Sequence, residues 1–429
     1  ASALMELVER YSFFNFVQNS KNFISLNWSE AEKSLGSKLI PVQEILHSVE
    51  EQMDVATARQ VLDLVQWKFA PATDINTEEE CYLPFDWFKK LNEFNGSSAG
   101  NTAEESILQG TCELIERHAC AIIDGQRLIR PTIDPDSFSD PVLKELYSKF
   151  KKQGIKVWFK DFSLGMPVPT IAVLAYDPKT FPTSSEIVFT AGTATSPSKA
   201  AIRALTEVAQ LAGDLESGSN YEASGLSKFT DLNQIDWLTR GDIITLDELP
   251  DLEDDDIYVE LKKLATALAS SGFPLYSIST SQPELGIATH YNIVPGFRFR
   301  ERTQNASPGL FVGRIIAEEE TPDKALKKLD TLAKIYPESY FIPFFKGLVY
   351  LRLNKHTLAA NLFARSEPLQ PDSEKKGMAA FYQAYALSQA DRWSEAVPHL
   401  NRAINLSPDV KEYYNLLGVA LFKQKKYEQ

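Results

Sequence analysis

The chain of 429 residues has few cysteines, and their spacing excludes several classes of site. Cys81, Cys112 and Cys120 lack the C-x-x-C spacing of zinc knuckles and redox motifs. Cys112 and Cys120 also fall within a segment of helical apolar periodicity. We therefore interpret all three as reduced, mostly buried thiols and expect no disulfide framework.

Positive charge and long apolar runs are also scarce. The 44 Lys and Arg residues stand against 58 Asp and Glu residues, which gives a net charge of -14 at pH 7. Such a surface repels nucleic-acid backbones and anionic lipid. No run approaches the ~20 apolar residues of a membrane span, and no basic-then-apolar signal peptide opens the chain. We expect a cytoplasmic protein that binds neither nucleic acid nor membranes.

The glycine-rich loops that commonly bind phosphate are missing from the sequence. There is no G-x-x-x-x-G-K-[ST] and no G-x-G-x-x-G, and the five histidines show no H-E-x-x-H spacing. Both ends of the sequence fall inside helical patterns, and no capping residue precedes Leu4, Leu7 and Val8. We therefore expect a fragment of a longer protein, truncated at both ends, in which any nucleotide is bound by other means.

The C-terminal part of the sequence is repetitive. Gly347, Ala384 and Gly418 recur 37 and then 34 residues apart, and prolines close the units. Small residues at such spacing let paired helices approach closely, and the pattern resembles the tetratricopeptide repeat (TPR). We predict an all-α TPR superhelix over residues 306–429 with an incomplete last unit; a generic helical bundle is the alternative.

Residues 1–300 predict an α+β domain, in which β-sheets are flanked by helices. Strand-like runs occur at KVWFKDF, VPTIAVLAY, EIVFTAG and PLYSIST. Helical patterns are predicted for residues 1–18, 102–124, 197–214 and 257–271.

Three of these helical segments each contain a stripe of polar residues. Within each stripe most residues follow one another at intervals of three or four, which places them on one helix face. Taken singly, each stripe is typical of a solvated face. The stripes consist of Ser2, Glu6, Glu9 and Arg10, of Glu105, Gln109, Glu113, Glu116 and Arg117, and of Arg203, Glu207 and Gln210.

Two observations favour a ligand site instead. Solvated faces usually mix Lys with Glu, yet no Lys occurs in residues 1–20 or 98–126. The arrangement Glu-x-x-Glu-Arg also occurs twice, in MELVERY and CELIERH, and like charges one turn apart repel. A Mg²⁺ ion shared between carboxylates and phosphates would offset this repulsion, while Arg binds phosphate oxygens. We predict one magnesium-nucleotide site formed by the three helices.

The motifs resemble those of a known family. SALMELVER, SAGNTAEESILQGTCELIERHA and SKAAIRALTEVAQ closely resemble the three ATP-binding motifs of the YcaO superfamily. Its Ser-x6-Glu-x3-Gln pattern is present as Ser98, Glu105 and Gln109, and its Ser-x3-Glu pattern as Ser2 and Glu6. YSIST, PELGIATHYNIVPGF and GMPVPTIAVL also look like family features, so the resemblance covers about residues 1–300.

This resemblance implies ATP and Mg²⁺ as ligands and assigns roles by matching position. The expected magnesium ligands, or their immediate neighbours, are Glu6, Glu9, Glu105, Glu113 and Glu116. The expected nucleotide-binding residues are Ser2, Ser98, Gln109, Arg117, Arg203, Glu207 and Gln210. For Glu207 and Gln210, bracing of the other helices is the alternative.

The resemblance also implies an enzyme that uses ATP to phosphorylate a backbone amide of a peptide or protein, as in a methylthiolation accessory factor. Azoline-forming members end in a proline-rich tail, whereas this domain runs on into repeats, and PVP at 167–169 is no substitute. Thioamide- or azoline-type peptide modification is one alternative, with azoline synthesis disfavoured. An adaptor with a degenerate YcaO-like domain is the other.

No catalytic residue is indicated. Cys112 and Cys120 lie on an apolar arc, Cys81 lacks a basic neighbour that would lower its pKa, and His118 suits a structural role better than a catalytic one. The expected partners are a peptide or protein substrate and a protein bound in the TPR groove. A homodimer is a further option.

Overall fold

The computed structural model describes residues 2–211, 228–300 and 306–425, and of Ser2 only the backbone. The chain forms two compact units. The first comprises Ala1–Ser25, Leu35–Ser48 and Trp67–Gln304; the second comprises Leu26–Ser34, Val49–Gln66 and Asn305–Gln429. The predicted domain 1–300 includes residues 26–34 and 49–66, which the structure groups with the second unit.

The strands lie in the N-terminal 300 residues of the chain. In chain order they are β1 Ile24–Leu26, β2 Trp67–Asp74, β3 Glu80–Pro84, β4 Ser97–Gly100, β5 Thr132–Ile133, β6 Lys156–Asp161, β7 Thr170–Tyr176, β8 Val188–Thr193, β9 Ile243–Ile244, β10 Tyr276–Ser279 and β11 Ala288–Ile293. The four predicted strand-like runs correspond to β6, β7, β8 and β10.

Helices surround these strands and make up the C-terminal region. Those before residue 300 are α1 Ser2–Gln18, α2 Trp28–Leu35, α3 Val42–Val49, α4 Val55–Leu62, α5 Phe85–Asn92, α6 Ala103–Gln126, α7 Pro141–Gln153, α8 Pro197–Leu211 and α9 Ile257–Ser270. Those after residue 305 are α10 Pro308–Glu319, α11 Pro322–Ile335, α12 Phe341–Arg352, α13 His356–Ser366, α14 Ser373–Gln389, α15 Trp393–Leu406 and α16 Lys411–Lys423.

The strands form two sheets. In the first the order is β1-β2-β10-β11-β4, with β3 also paired to β2, and the pairs whose register is resolved are antiparallel. In the second the order is β8-β7-β6-β5-β9, antiparallel except for the parallel pair β5 and β9. The register of β11 against β4 places His290 opposite Ser98, which fixes a predicted site residue at the edge of the first sheet.

The long helix α6 packs on both sheets. It contacts β4 and β11 of the first sheet and β7 and β8 of the second. Thr102 caps it, since its side-chain oxygen accepts a hydrogen bond from the backbone N–H of Glu105 at 3.2 Å. Leu114 and Ile115 are fully buried. The polar stripe of α6 is therefore positioned by one rigid element that spans two sheets.

The second sheet receives α8 at close range. A Cβ atom added at Gly192 in β8 would lie 2.5 Å from the carbonyl oxygen of Ala200 and from the backbone nitrogen of Ala204. Because no side chain fits there, glycine lets α8 lie directly on the strand. This contact brings the third polar stripe to the same edge of the sheet as α6.

The second unit contains the predicted repeats. Consecutive helices from α12 to α16 pack as neighbours. Ala359, Ala384 and Ala396 are fully buried, and a Cβ atom at Gly347 would lie 2.8 Å from the ring of Phe363. Small residues thus allow close helix contact, as the sequence predicts for a TPR array. Among the residues placed here, no helix combines the length and the apolar character needed to cross a membrane.

Candidate functional site

A cavity of about 1020 Å³ lies within the first unit, where the polar stripes of α1, α6 and α8 meet beside β4. We call it the nucleotide cavity. The side chain of Ser2 lies outside the described residues, and the other predicted site residues all line the cavity. They are Glu6, Glu9, Ser98, Glu105, Gln109, Glu113, Glu116, Arg117, Arg203, Glu207 and Gln210.

The amino end of α6 holds Glu105 in a defined orientation. Its Oε2 accepts hydrogen bonds from the backbone nitrogen of Asn101 at 2.8 Å and from Asn101 Nδ2 at 2.9 Å. Amide donors at the start of a helix favour negative charge. The Glu105 carboxylate is thus oriented by Asn101, just ahead of the helix.

Ser98 is oriented by the strand beside it. Its Oγ accepts a hydrogen bond from Asn292 Nδ2 at 3.0 Å, and its carbonyl oxygen accepts one from Ser106 Oγ at 3.1 Å. This network is compact because Gly110 faces it: a Cβ atom there would lie 2.3 Å from Asn292 Nδ2 and 2.6 Å from Ser98 Oγ. Glycine in the middle of α6 is therefore needed for the helix to approach the sheet.

The carboxyl groups of the cavity are held in an unfavourable environment. Burial raises the pKa of Glu116 to about 8, with a further contribution from the neighbouring Glu207 carboxylate. Burial likewise raises the pKa of Glu9 to about 7 and raises that of Glu113. Nearby arginines oppose these shifts without cancelling them. Burial therefore destabilises the ionised form of these carboxyl groups more than the nearby arginines stabilise it.

Arginine pairs with these carboxylates only at long range. Arg10 Nη2 lies 3.9 Å from Glu6 Oε1, Arg10 Nε lies 3.8 Å from Glu9 Oε1, and Arg117 Nε lies 3.7 Å from Glu113 Oε1. Charge-assisted hydrogen bonds are usually about 2.7–2.9 Å long. These guanidinium groups thus contribute positive charge without a tight bond to the carboxylate beside them.

The third stripe is connected to α6 by one short hydrogen bond. Arg203 Nη1 donates to Gln109 Oε1 at 2.6 Å. Glu207 and Gln210, one and two turns further along α8, line the same cavity. The structure thus brings both residues, whose role the sequence left open, to the cavity wall.

These residues fit a magnesium-nucleotide complex better than a free metal ion. Within the described part of the chain, no three His, Cys, Asp or Glu side chains are close enough together to hold a metal ion. Mg²⁺ is commonly bound through one or two carboxylates together with substrate phosphates. Burial raises the pKa of Glu9 and of Glu116 because it destabilises the charged carboxylates, and a bound Mg²⁺ ion would stabilise them.

Comparison with known proteins decides the family. The sequence model of the YcaO cyclodehydratase family, described as ATP- and Mg²⁺-binding, matches residues 1–298. A tetratricopeptide-repeat model matches residues 382–429. The chain belongs to the YcaO family. The predicted TPR repeats are confirmed for residues 382–429, and the predicted ATP and Mg²⁺ ligands are confirmed for the family.

Individual relatives of this YcaO chain match it in part. It is 29% identical over 210 residues to an uncharacterized protein of Methanothermobacter thermautotrophicus, which covers 47% of this chain and 55% of that protein. It is 30% identical over 109 residues to the ribosomal protein S12 methylthiotransferase accessory factor YcaO of Escherichia coli strain K12, which covers 25% of this chain and 19% of that protein. The matches span about half and about a fifth of these relatives.

The fold of this YcaO chain is similar to that of the heterocyclase TruD. The TM-score is 0.55 at 23% sequence identity, and the match covers 70% of this chain and 45% of that chain. This similarity confirms the predicted mixed α and β fold.

Several residues of the YcaO cavity were not selected from the sequence as site residues. Asn101, Phe94, Ser97 and Thr206 also line the wall, and the guanidinium of Arg10 lies 4.9 Å from the centre of the Phe94 ring. The Asn-Thr pair ahead of α6 is a recognisable helix-start signal that could have indicated Asn101. Phe94 lies in the turn before β4 and Ser97 is the first residue of β4, and no periodic pattern marks either of them.

His118 and the cysteines have the structural roles that the sequence favoured. His118 Nδ1 accepts a hydrogen bond from the backbone nitrogen of Arg298 at 2.8 Å, and its ring stacks on Phe297. Cys112 and Cys120 are buried free thiols, and burial raises the pKa of Cys112 to about 12. Burial also raises the pKa of the half-buried Cys81 to about 12. At neutral pH all three thiols are protonated and therefore weak nucleophiles.

Proposed function

We propose that this chain is an ATP- and Mg²⁺-dependent enzyme of the YcaO kind that activates a backbone amide of a peptide or protein by phosphorylating it. The observation that supports this proposal is the nucleotide cavity, in which three helices far apart in sequence present carboxylates and arginines to one space. A purely structural domain gains nothing from keeping like charges buried together, since burial of charge costs free energy.

We assign roles according to side-chain chemistry. Glu6, Glu9, Glu105, Glu113 and Glu116 offer the hard oxygen ligands that Mg²⁺ prefers. Arg117 and Arg203 offer guanidinium donors for phosphate oxygens. The remaining residues would contact the ribose and further phosphate oxygens. They are Ser2, Ser98, Gln109, Glu207 and Gln210.

Bound Mg²⁺-ATP would supply the γ-phosphate that converts the amide oxygen into a good leaving group. A nucleophile of the thiol, hydroxyl, amine or sulfide class adds to the amide carbonyl carbon and loses its proton. The former carbonyl oxygen takes the γ-phosphoryl group from ATP, which leaves as ADP. This oxygen then departs from the carbon as phosphate, while the amide nitrogen or the added nucleophile loses a proton and forms a double bond to that carbon. The protein's part is to position the reactants and stabilise charge, as is general in phosphoryl transfer.

The substrate class follows from two considerations. The name of the Escherichia coli relative supports an accessory role in protein methylthiolation. The family description as cyclodehydratase and the fold similarity to a heterocyclase support the alternative, thioamide- or azoline-type modification of a peptide. We favour the first and treat the second as the competing outcome of a product analysis.

The TPR region supports a separate role in recruitment. Paired helices with small residues at their contacts form the curved arrays that bind peptides and helices of partner proteins. If the first unit only scaffolded this array, the chain would be an adaptor. The buried carboxylate set argues against that alternative.

Calorimetric titration with Mg²⁺-ATP tests the nucleotide site. We expect Glu113→Gln to weaken binding about tenfold or more, because one metal ligand is lost without a change of shape. Glu145→Gln is the matched control, since Glu145 lies on the solvated face of α7 and pairs with Lys149. Equal affinity for wild type and Glu113→Gln would leave only the adaptor.

Mass spectrometry tests the reaction. Candidate peptides and a ribosomal protein are incubated with the chain, ATP, Mg²⁺ and a sulfide source. Methylthiolation replaces a hydrogen atom by a methylthio group and raises the mass by about 46 Da. In the competing outcome, exchange of an amide oxygen for sulfur raises the mass by about 16 Da, and ring closure with loss of water lowers it by about 18 Da. Bound nucleotide without any mass change would contradict the proposed reaction.

A further inference from the structure

A second cavity of about 450 Å³ adjoins the nucleotide cavity, and we call it the side cavity. Glu105, Gln109 and Arg203 line both cavities, so the two share a wall. The hydrogen bond from Arg203 to Gln109 is part of this wall. A group bound in the side cavity would therefore lie next to a ligand bound in the nucleotide cavity.

Most of the side cavity is apolar. Leu108 on α6, Ile202 on α8 and Ile257 at the start of α9 line it. Cys112 adds a thiol, and since burial raises its pKa to about 12, it is protonated and belongs to the apolar surface at neutral pH. Apolar space of this kind stabilises an uncharged side chain and disfavours a charged one.

Two charged residues, Glu260 and Lys199, also line the side cavity. Glu260 is only 5% exposed, and its Oε1 accepts hydrogen bonds from Thr195 Oγ1 at 2.9 Å and from the backbone nitrogen of Asp254 at 3.1 Å. Lys199 Nζ lies 2.7 Å from Glu253 Oε1. A carboxylate accepts and an ammonium donates hydrogen bonds, so the wall can bind the N–H and C=O groups of a peptide backbone.

We propose that the side cavity binds the substrate residue next to the reacting amide and selects an apolar side chain at that position. The inference rests on the proposed function and narrows its substrate class. The reacting amide must lie close to the nucleotide, which would bind on the other side of the wall that the two cavities share. A peptide residue suits the side cavity because it offers both an apolar side chain and backbone polar groups. Charged side chains of either sign lose water in this mainly apolar space. The Glu105 and Glu260 carboxylates also repel acidic ones, while the cations Lys199 and Arg203 are paired with Glu253 and Gln109.

Methyl NMR with small probes tests this selection. The probes are N-acetyl-isoleucine N-methylamide and its aspartate and lysine counterparts, titrated into the full chain with ¹³C-labelled isoleucine methyl groups. We expect the isoleucine probe to shift the methyl signals of Ile202 and Ile257 and the charged probes to do so at least tenfold more weakly. Equal or stronger binding of either charged probe, or no shift at these two methyls, overturns the proposal.

Two variants distinguish a specific effect on binding in the side cavity from a general loss of protein stability. Ile257→Gln places an amide in the apolar wall and is expected to weaken the isoleucine probe about tenfold while the Mg²⁺-ATP affinity stays within twofold. Leu146→Gln is the matched control, because Leu146 is equally half-buried on α7 and lines neither cavity. Unchanged probe affinity in Ile257→Gln contradicts the proposal.

The titrations are carried out with and without a non-hydrolysable ATP analogue, so the two ideas can fail separately. If wild type does not bind the nucleotide, the proposed function fails whatever the probes do. If it binds the nucleotide but the isoleucine probe has no preference over the charged probes, only the side-cavity inference fails.

Discussion

Helices α6 and α7 belong to the same unit and both have glutamates on a polar face. These glutamates differ in their exposure, in the distance to the paired cation and in the direction of their pKa shifts. On α7, Lys149 Nζ lies 2.9 Å from Glu145 Oε1, both side chains are largely exposed, and this hydrogen bond lowers the pKa of Glu145. On α6, Glu113 faces Arg117 at 3.7 Å, and burial raises the pKa of Glu116 to about 8.

The comparison shows what distinguishes a ligand-facing stripe from a solvated one. Lysine is frequent in α7 and absent from α6, and lysine is the residue that flexible surface pairs use. Without it, the carboxyl groups of α6 are flanked by guanidinium groups, which do not offset the effect of burial on their pKa. Both helices have the same periodicity of polar residues, and periodicity alone therefore does not indicate the site. The absence of lysine from the stripe does.

The largest expected effect concerns the packing that holds the α6 stripe in place. We expect Gly110→Ala to lower the free energy of unfolding by about 3 kcal/mol, because the added methyl group would meet Asn292 Nδ2 and Ser98 Oγ at contact distances far too short. Denaturant unfolding measures the change. Gly125→Ala in the same helix meets nothing within 4 Å and should leave stability equal or higher; similar losses in both variants would contradict this account.

Removal of an arginine from the cavity should have the next largest effect. We expect Arg203→Ala to weaken Mg²⁺-ATP binding about 30-fold, which corresponds to about 2 kcal/mol for a lost charge-assisted contact. Arg240→Ala removes a guanidinium that pairs with Asp236 at the surface of the same unit, and its calorimetric affinity should match wild type. Equal losses would mean that only net charge matters.

The pH dependence of nucleotide affinity gives a smaller effect whose sign follows from Glu116. Its raised pKa of about 8 means that the Glu116 carboxyl group is mostly protonated at neutral pH in the absence of nucleotide, whereas a magnesium ligand must be ionised. Affinity should therefore rise about tenfold between about pH 7 and about pH 9. In Glu116→Gln, where this proton is absent, calorimetry should give a flatter profile; an unchanged slope would assign the titration to another group.

The smallest expected effect is on α7. Lys149→Met breaks the exposed pair with Glu145, and exposed pairs contribute little to stability. Nucleotide affinity should stay within about twofold and the melting temperature within about 2 °C. A clear loss of affinity would show that the two faces differ less than their pKa shifts indicate.

The stripes of α1, α6 and α8 and the TPR periodicity could be predicted because they are local patterns of one helix each. The contact of Ser98 with Asn292 could not, since it depends on the register of β11 against β4 across nearly 200 residues. The segments 26–34 and 49–66 likewise belong to the second unit through contacts distant in sequence. Local periodicity contains no information about such pairings.

The continuous course of α6 also limits how this site can change over evolutionary time. Each residue of an α-helix turns the next by about 100°. One inserted residue between Glu105 and Glu113 would turn Glu113 and Glu116 away from the cavity, while Glu105 stayed at the capped end. New nucleotide or metal preferences must therefore arise by exchange of side chains at fixed positions, and the length of this helix is as much a part of the site as its glutamates.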